Sequence, residues 1–218
     1  MSSPTRDLSF GADGLVPVVI QDADTGEVLT LAHANWEAIA RTLETGETHL
    51  WSRSRGELWH KGATSGHRQA VVAVKADCDA DAVLYQVRPQ GPACHTGAET
   101  CFHQPLHGAV PPSLGALLSR LAAVVASRRR ERPEGSYTAY LLDKGLDKIC
   151  KKVGEEATEV VIALKNGAPE PIAAEAADLL YHLIVGLEAA GVGLPDVAAA
   201  LEGRLGQSGR VPGESKRV

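Results

Sequence analysis

Near residue 112 the hydrophobic period of the chain changes from two to 3.6, and any fold it adopts must honour that break. Before it, GLVPVVIQDADTGEVLTLAH (residues 14–33) sets two β-branched-rich runs around Asp24-Thr25-Gly26, a strand, turn, strand signal. Asn35 can cap a helix that begins at Trp36, continues through Ile39 and Leu43 and stops at Gly46. Strands return over His49–Arg53, Gln69–Asp77 and Ala82–Val87. The stretch from Phe102 to Ser113 holds three prolines and a glycine without periodic apolar residues, as a linker does. Beyond it Leu114, Leu117, Leu118, Leu121 and Val125 share one helix face, and Ile149, Val153, Val160 and Leu164 mark a second helix. A third runs from about Pro169 to Gly191 and a fourth from Leu194 to about Leu205. The expected fold class is α+β: a strand-rich α+β domain over residues 1–104, a linker over 105–113, an all-α domain over 114–206 and a flexible tail over 207–218.

Composition narrows the function classes. With 44% apolar but only 4% aromatic residues, Leu, Val and Ala must fill the cores. A net charge of -5 argues against a nucleic-acid partner, since phosphate-backbone affinity needs a basic surface. The start, MSSPTRDLSF, has no apolar core of a signal peptide, and no window approaches the ~18 apolar residues of a membrane span. A cytoplasmic protein with no membrane partner is expected. In that reducing compartment Cys78, Cys94, Cys101 and Cys150 are ligands, nucleophiles or core fillers rather than disulfides.

Three of those cysteines stand near acids. In an extended Asp77-Cys78-Asp79-Ala80-Asp81, alternate side chains share a face, so the three aspartates converge and Cys78 points away. Converging carboxylates repel unless a cation compensates them, and oxygen-only ligation suits Mg²⁺. A solvated acidic turn has the same spacing, but the thiols add a second signal. Cys78, Cys94 and Cys101 can meet at one Zn²⁺ once the chain folds or a second subunit supplies part of the site. Three thiolates leave tetrahedral zinc one open position, where a bound water's pKa can fall to near ~7, so hydrolysis is expected. Upstream, Arg53, Ser54, Arg55, Trp59, Lys61, Thr64 and Ser65 lie among glycines that let a backbone approach a phosphate closely.

SRSRGELWHKGATSGH, DCDAD and CHTGAETCF, in that order, resemble phosphoribosyl-AMP cyclohydrolase over residues 14–104. The resemblance implies an α+β homodimer in which Asp77, Asp79 and Asp81 hold Mg²⁺. It also implies that Cys78, Cys94 and Cys101 hold a Zn²⁺ shared between the two subunits. The implied reaction hydrolyses the N1–C6 bond of the adenine ring, with His67 or His95 as candidate catalytic proton carriers. Many members carry an acid where this chain has Ala63, so no catalytic role is assigned to that position.

The second half repeats the carboxylate theme on helices. Glu155 and Glu159 are spaced i, i+4, Glu156 and Glu159 i, i+3, and Glu175 and Asp178 again i, i+3. Solvated surface acids show such spacing too. Asp178, however, precedes Leu179, Leu180, Leu183, Ile184 and Val185, an apparent core helix where an unpaired carboxylate would be costly and Mg²⁺ would compensate it. SYTAYLLDKGLDKICKKVGEEATEVVIAL with EAADLLYHLIVGL resembles phosphoribosyl-ATP pyrophosphohydrolase, over about residues 114–206. That implies Mg²⁺ on Glu155, Glu156, Glu159, Glu175 and Asp178, with Lys148, Lys151 and Lys152 as phosphate contacts and phosphoribosyl-adenine nucleotides as substrates. The expected product of the second half is the substrate of the first. A zinc-stabilised binding module with a helical dimerisation tail, or a chain with only one active half, fits the same residues.

Overall fold

Val16, Val18 and Ile20 of β1 (Val16–Asp22) are wholly buried while their neighbours are partly exposed, the period-two signature of a strand with one face on a core. The structure, a computed structural model, describes residues 8–108, 111 and 113–205. Among these the chain divides into two units, with the break between Leu117 and Leu118.

In the first unit β1 pairs antiparallel with β2 (Val28–Ala34) and parallel with β6 (Val83–Pro89), which pairs antiparallel with β5 (Gln69–Ala76). The mixed sheet therefore reads β2-β1-β6-β5. Asn35 caps α1 (Trp36–Thr45), its Oδ1 accepting from the Ala38 amide at 2.9 Å, and left-handed Gly46 ends it. Ala38 and Ile39 then join Val16, Val18, Ile20, Val83, Tyr85 and Val87 in one core. The strands expected to reach Arg53 and Asp77 end one residue earlier, and the strand expected over Ala82–Val87 runs from Val83 to Pro89. The glycine-rich basic segment contains a further strand that was not among those expected. β3 (His49–Ser52) and β4 (Glu57–His60) form a hairpin whose turn is Arg53-Ser54-Arg55-Gly56.

The second unit is helical: α2 (Leu114–Glu131), α3 (Tyr137–Lys144), α4 (Leu146–Asn166), α5 (Pro169–Ala190) and α6 (Leu194–Glu202). With one strand-rich unit and one helical unit, the expected α+β plus all-α organisation holds. α3 has no counterpart among the expected helices. Only eight residues long, it is set by its Ser136 cap, whose side chain accepts from the Ala139 amide. Gly167 and Ala168 alone join α4 to α5, so the two run antiparallel and share a core of Ile149, Ile184 and Val185 with Val125 and Leu141. The helix faces read from periodicity are only partly interior: Leu114, Leu117 and Leu164 are exposed. From Phe102 to Gly108, inside the Pro-rich stretch, there is neither helix nor strand, and the tail expected over 207–218 lies outside the described residues. Among the described residues no single helix is long and apolar enough to cross a membrane.

Candidate active sites

The two loops flanking β6 carry the chemistry of the first unit, at opposite ends of that strand. At its start, Asp77, Asp79 and Asp81 bring carboxylate oxygens within 4.8 Å of one another. Pleat alternation, the expected cause, is not what gathers them, because β5 has already ended at Ala76. A tight turn does, with Ala80 at φ 62, the Ala82 amide on Asp77 Oδ1 at 3.1 Å and the Asp77 amide on the Ala82 carbonyl at 3.1 Å. The Ala82 amide holds the Asp77 carboxyl below its usual range, while the charges of Asp79 and then Asp77 push Asp81 up. A cation accepting three oxygens would relieve that repulsion, so the donor set fits Mg²⁺.

The loop that follows β6 helps to form a cleft of about 430 Å³ between β2 (Thr30 to Ala32), the hairpin end and the loops 61–67 and 92–101. Lys61, Thr64, Ser65, His67, His95, Cys94 and Cys101 all line it, as does Trp59. Lys61 Nζ is fixed by a 2.8 Å bond to the Ala93 carbonyl and lies 5.5 Å from the Trp59 ring centroid. His67 is held by its neighbours: a Cβ on Gly91 would sit 2.7 Å from its ring, and one on Gly62, at φ +83, would sit 2.3 Å from its carbonyl oxygen. Cys94 is buried, and the Thr96 hydroxyl donates to its sulfur at 3.1 Å, drawing the thiol below its usual range with further help from adjacent Cys101.

Cys78, exposed beside the acidic turn, does not join them. The Ser9 amide holds that turn at the Ala80 carbonyl, whereas the Cys101 amide is anchored on the Leu29 carbonyl of β2, the edge strand farthest from β5. Arg53, Ser54 and Arg55 are likewise absent from the cleft wall, and Arg55 pairs with Glu57 at 2.9 Å.

In the helical unit the α4–α5 hairpin brings acids together by symmetry about its turn. Glu159 and Glu175 each stand eight positions from Gly167 (167 − 159 and 175 − 167), and Glu156 and Asp178 each stand eleven. Glu156, Glu175 and Asp178 have oxygens within 4.8 Å of one another. Burial raises the Glu175 carboxyl above its usual range, reinforced by Glu159, Asp178 and Glu156. Three acids facing one point fit Mg²⁺ here too. Glu155 instead pairs with Lys152 at 3.0 Å and Lys151 at 3.4 Å, which keep its carboxyl below the usual range.

The burial expected at Asp178 falls elsewhere. Asp178 is exposed, and Glu156 is the buried acid at 5% exposure. Lys152 pairs with it at 2.9 Å, and its own pKa rises on account of Glu156 and then Glu155. Lys148 lies one turn earlier on α4. The sequence reading missed His182, buried with Nδ1 2.9 Å from the Asp178 carbonyl and 3.6 Å from Glu156 Oε1. An Nδ1–H donating to that carbonyl leaves Nε2 to accept from the Tyr137 hydroxyl at 3.3 Å. The i, i+4 spacing of Asp178 and His182 was the available signal.

Two family models match the chain in the same two places: phosphoribosyl-AMP cyclohydrolase over residues 30–103 and phosphoribosyl-ATP pyrophosphohydrolase over residues 118–204. The "Histidine biosynthesis bifunctional protein HisIE" of Halalkalibacterium halodurans is 52% identical over 202 residues, 91% of this chain and 95% of that protein. The chain belongs to this bifunctional family. Its namesakes from Thermus thermophilus (54% identical, 88% of this chain and 89% of that protein) and Bacillus subtilis (51%, 91% and 95%) are similar along the same span. Both halves of the family are present here, each with its acid cluster inside the matched segment.

Proposed function

We propose that the chain performs two successive hydrolyses, with phosphoribosyl-adenine nucleotides as substrates. The helical domain (114–206) cleaves phosphoribosyl-ATP to phosphoribosyl-AMP and pyrophosphate. The strand-rich domain (1–104), joined to it by 105–113, then opens the adenine ring at N1–C6. The observation that carries this reading is a metal-sized carboxylate cluster in each of the two segments that match the two hydrolase families. A cytoplasmic location goes with it.

In the cleft, Lys61, Thr64 and Ser65 bind substrate phosphate, with Lys61 already oriented by the Ala93 carbonyl. Trp59 offers a flat apolar wall for the base, and Arg53, Ser54 and Arg55 serve phosphate from the hairpin turn. His67 and His95 hold and move protons at their ring nitrogens. Cys94 and Cys101, with Cys78 of a second copy, would hold Zn²⁺, whose Lewis acidity lowers the pKa of water. Asp77, Asp79 and Asp81, around Cys78 in the acidic turn, would hold Mg²⁺.

On the helices Glu156, Glu175 and Asp178, flanked by Glu159 and Glu155, would hold Mg²⁺, which neutralises a polyphosphate chain. Lys152 and His182 fix the rotamer of Glu156, and Lys148, Lys151 and Lys152 meet substrate phosphate. Incubating the metal-loaded chain with phosphoribosyl-ATP, and separately with phosphoribosyl-AMP, tests both halves. Release of pyrophosphate in the first and loss of the intact purine chromophore in the second are expected; turnover of neither substrate would sink the reading.

A further inference from the structure

The loop from Lys61 to His67 supplies five residues to the cleft wall: Lys61, Gly62, Thr64, Ser65 and His67. It is closed on itself, with the Ala63 amide on the His60 carbonyl at 3.2 Å and the Gly66 amide on the Gly62 carbonyl at 2.9 Å. Its two flanking residues, His60 and Arg68, meet at a single carboxylate outside the cleft. Glu47 Oε2 lies 2.6 Å from His60 Nε2 and 3.2 Å from an Arg68 guanidinium nitrogen. The same guanidinium nitrogen is 3.3 Å from Glu47 Oε1.

The clasp has a firm base. The Lys61 amide donates to the Thr48 carbonyl at 3.0 Å, and the Thr48 amide to the Gln69 carbonyl at 3.1 Å, so residue 48 is stitched to both sides of the loop. The His49 ring stacks on His60 with centroids 4.4 Å apart and planes at 10°, while its Nδ1 lies 2.9 Å from the Glu47 carbonyl. Residues 47–49 and His60 thus move as one block. Burial alone would raise the Glu47 carboxyl, but the Arg68 hydrogen bond and the close approach of the His60 ring outweigh it and hold it below its usual range, ionised at neutral pH.

We propose that Glu47 is a positioning residue for ring opening: by clamping His60 and Arg68 together it fixes the mouth of the 61–67 loop, and so where Lys61, Thr64, Ser65 and His67 face the substrate. This rests on the cyclohydrolase reading of the cleft. Glu47 itself touches no substrate.

The test uses Glu47→Ala and Glu47→Gln in the full chain, read by hydrogen exchange of the 61–68 peptide and by kcat/KM for phosphoribosyl-AMP. Glu47→Ala is expected to speed exchange in that peptide alone and to lower kcat/KM about tenfold, leaving pyrophosphate release unchanged. Glu47→Gln keeps an oxygen for Arg68 and an amide N–H for the His60 ring, so it should recover most of the loss. Unchanged exchange or unchanged kcat/KM in Glu47→Ala would overturn the proposal, as would faster exchange spread through β1 and β6. Should the wild type fail to open phosphoribosyl-AMP, the cyclohydrolase reading falls, while the exchange measurement still decides whether Glu47 holds the loop.

Discussion

Replacing Cys78 by Ser in one set of chains and Cys101 by Ser in another tests whether the zinc site spans two copies of the protein. The magnitude follows from the sheet order: Cys101 is anchored on Leu29 of β2, Cys78 sits in the turn between β5 and β6, and β1 lies between, so at ~4.8 Å per strand roughly 10 Å of sheet separates them. Zinc bonds to sulfur of about 2.3 Å allow two ligand sulfurs no more than about 4.6 Å apart. Both loops are tied down, the acidic turn by the Ser9 amide on the Ala80 carbonyl and the later loop by the Cys101 amide on the Leu29 carbonyl, so neither folds across to the other. One chain therefore offers two ligands at one place and the third at another.

In a two-fold dimer, a Cys78→Ser chain keeps Cys94 and Cys101, and its Cys101→Ser partner keeps Cys78. One of the two composite sites is whole and the other has lost two ligands. Each variant alone should be inactive in ring opening and lack zinc. A heterodimer purified through two different tags should show roughly half of wild-type ring opening and one zinc per two chains, and a random coexpressed pool roughly a quarter of the activity. Pyrophosphate release should stay at the wild-type level throughout, which reports that the helical unit is intact in every variant. A heterodimer no more active than either parent would refute the shared site and the separation of the thiols behind it.

Three further outcomes are expected. Glu156→Gln should lower pyrophosphate release by roughly two orders of magnitude in a coupled phosphate assay while ring opening stays within about twofold; equal loss of both would count against independent domains. Ile149→Ala, at a fully buried position between α4 and α5, should cost about 2–5 kcal/mol and lower the melting temperature of the helical unit by more than 8 °C, or roughly 4–8 °C per kcal/mol, in a circular dichroism melt. A shift under 3 °C would mean that the α4–α5 seam is not the core described. Because the folded Glu175 carboxyl titrates above its ordinary 4.5, the stability it contributes is present below that pH and lost as pH rises through the raised folded value. Metal-free Glu175→Gln should therefore be more stable than wild type at pH 7, the difference closing below about pH 4.5, and Mg²⁺ should stabilise wild type more than the variant. A metal-free variant less stable at pH 7 would contradict the crowding of these acids.

What could be read from the chain alone follows from how local each signal is. α5 announced itself through Pro169 in its first turn and Gly191 after its end, and α1 through Asn35 and Gly46, because caps act within four residues. β4 was hidden, since Glu57–His60 sits among arginines and glycines that look like loop, and only pairing with His49–Ser52 makes it a strand. The aspartates of the acidic turn were found for a reason the structure replaces: position 80 in left-handed backbone, not alternation along a strand. Asp178 was taken as buried from the leucines that follow it, but residues one, two and five positions on point to other faces of a helix. Glu156, flanked by Glu155 and Lys152, gave no apolar signal yet is the acid that α3 and α5 cover.

The two sites gather their ligands by different geometry, and this decides how each must be built. A helical hairpin maps positions equally far from its turn onto one another, so acids eight and eleven residues either side of Gly167 meet within a single chain. A sheet does the reverse, setting β1 between the strand that anchors Cys101 and the hairpin that carries Cys78, so sequence proximity between DCDAD and CHTGAETC is misleading about distance. Zinc held by all three thiols would therefore take Cys78 from one copy and the Cys94–Cys101 pair from another, and that is the arrangement the mixed Cys78→Ser and Cys101→Ser dimer tests.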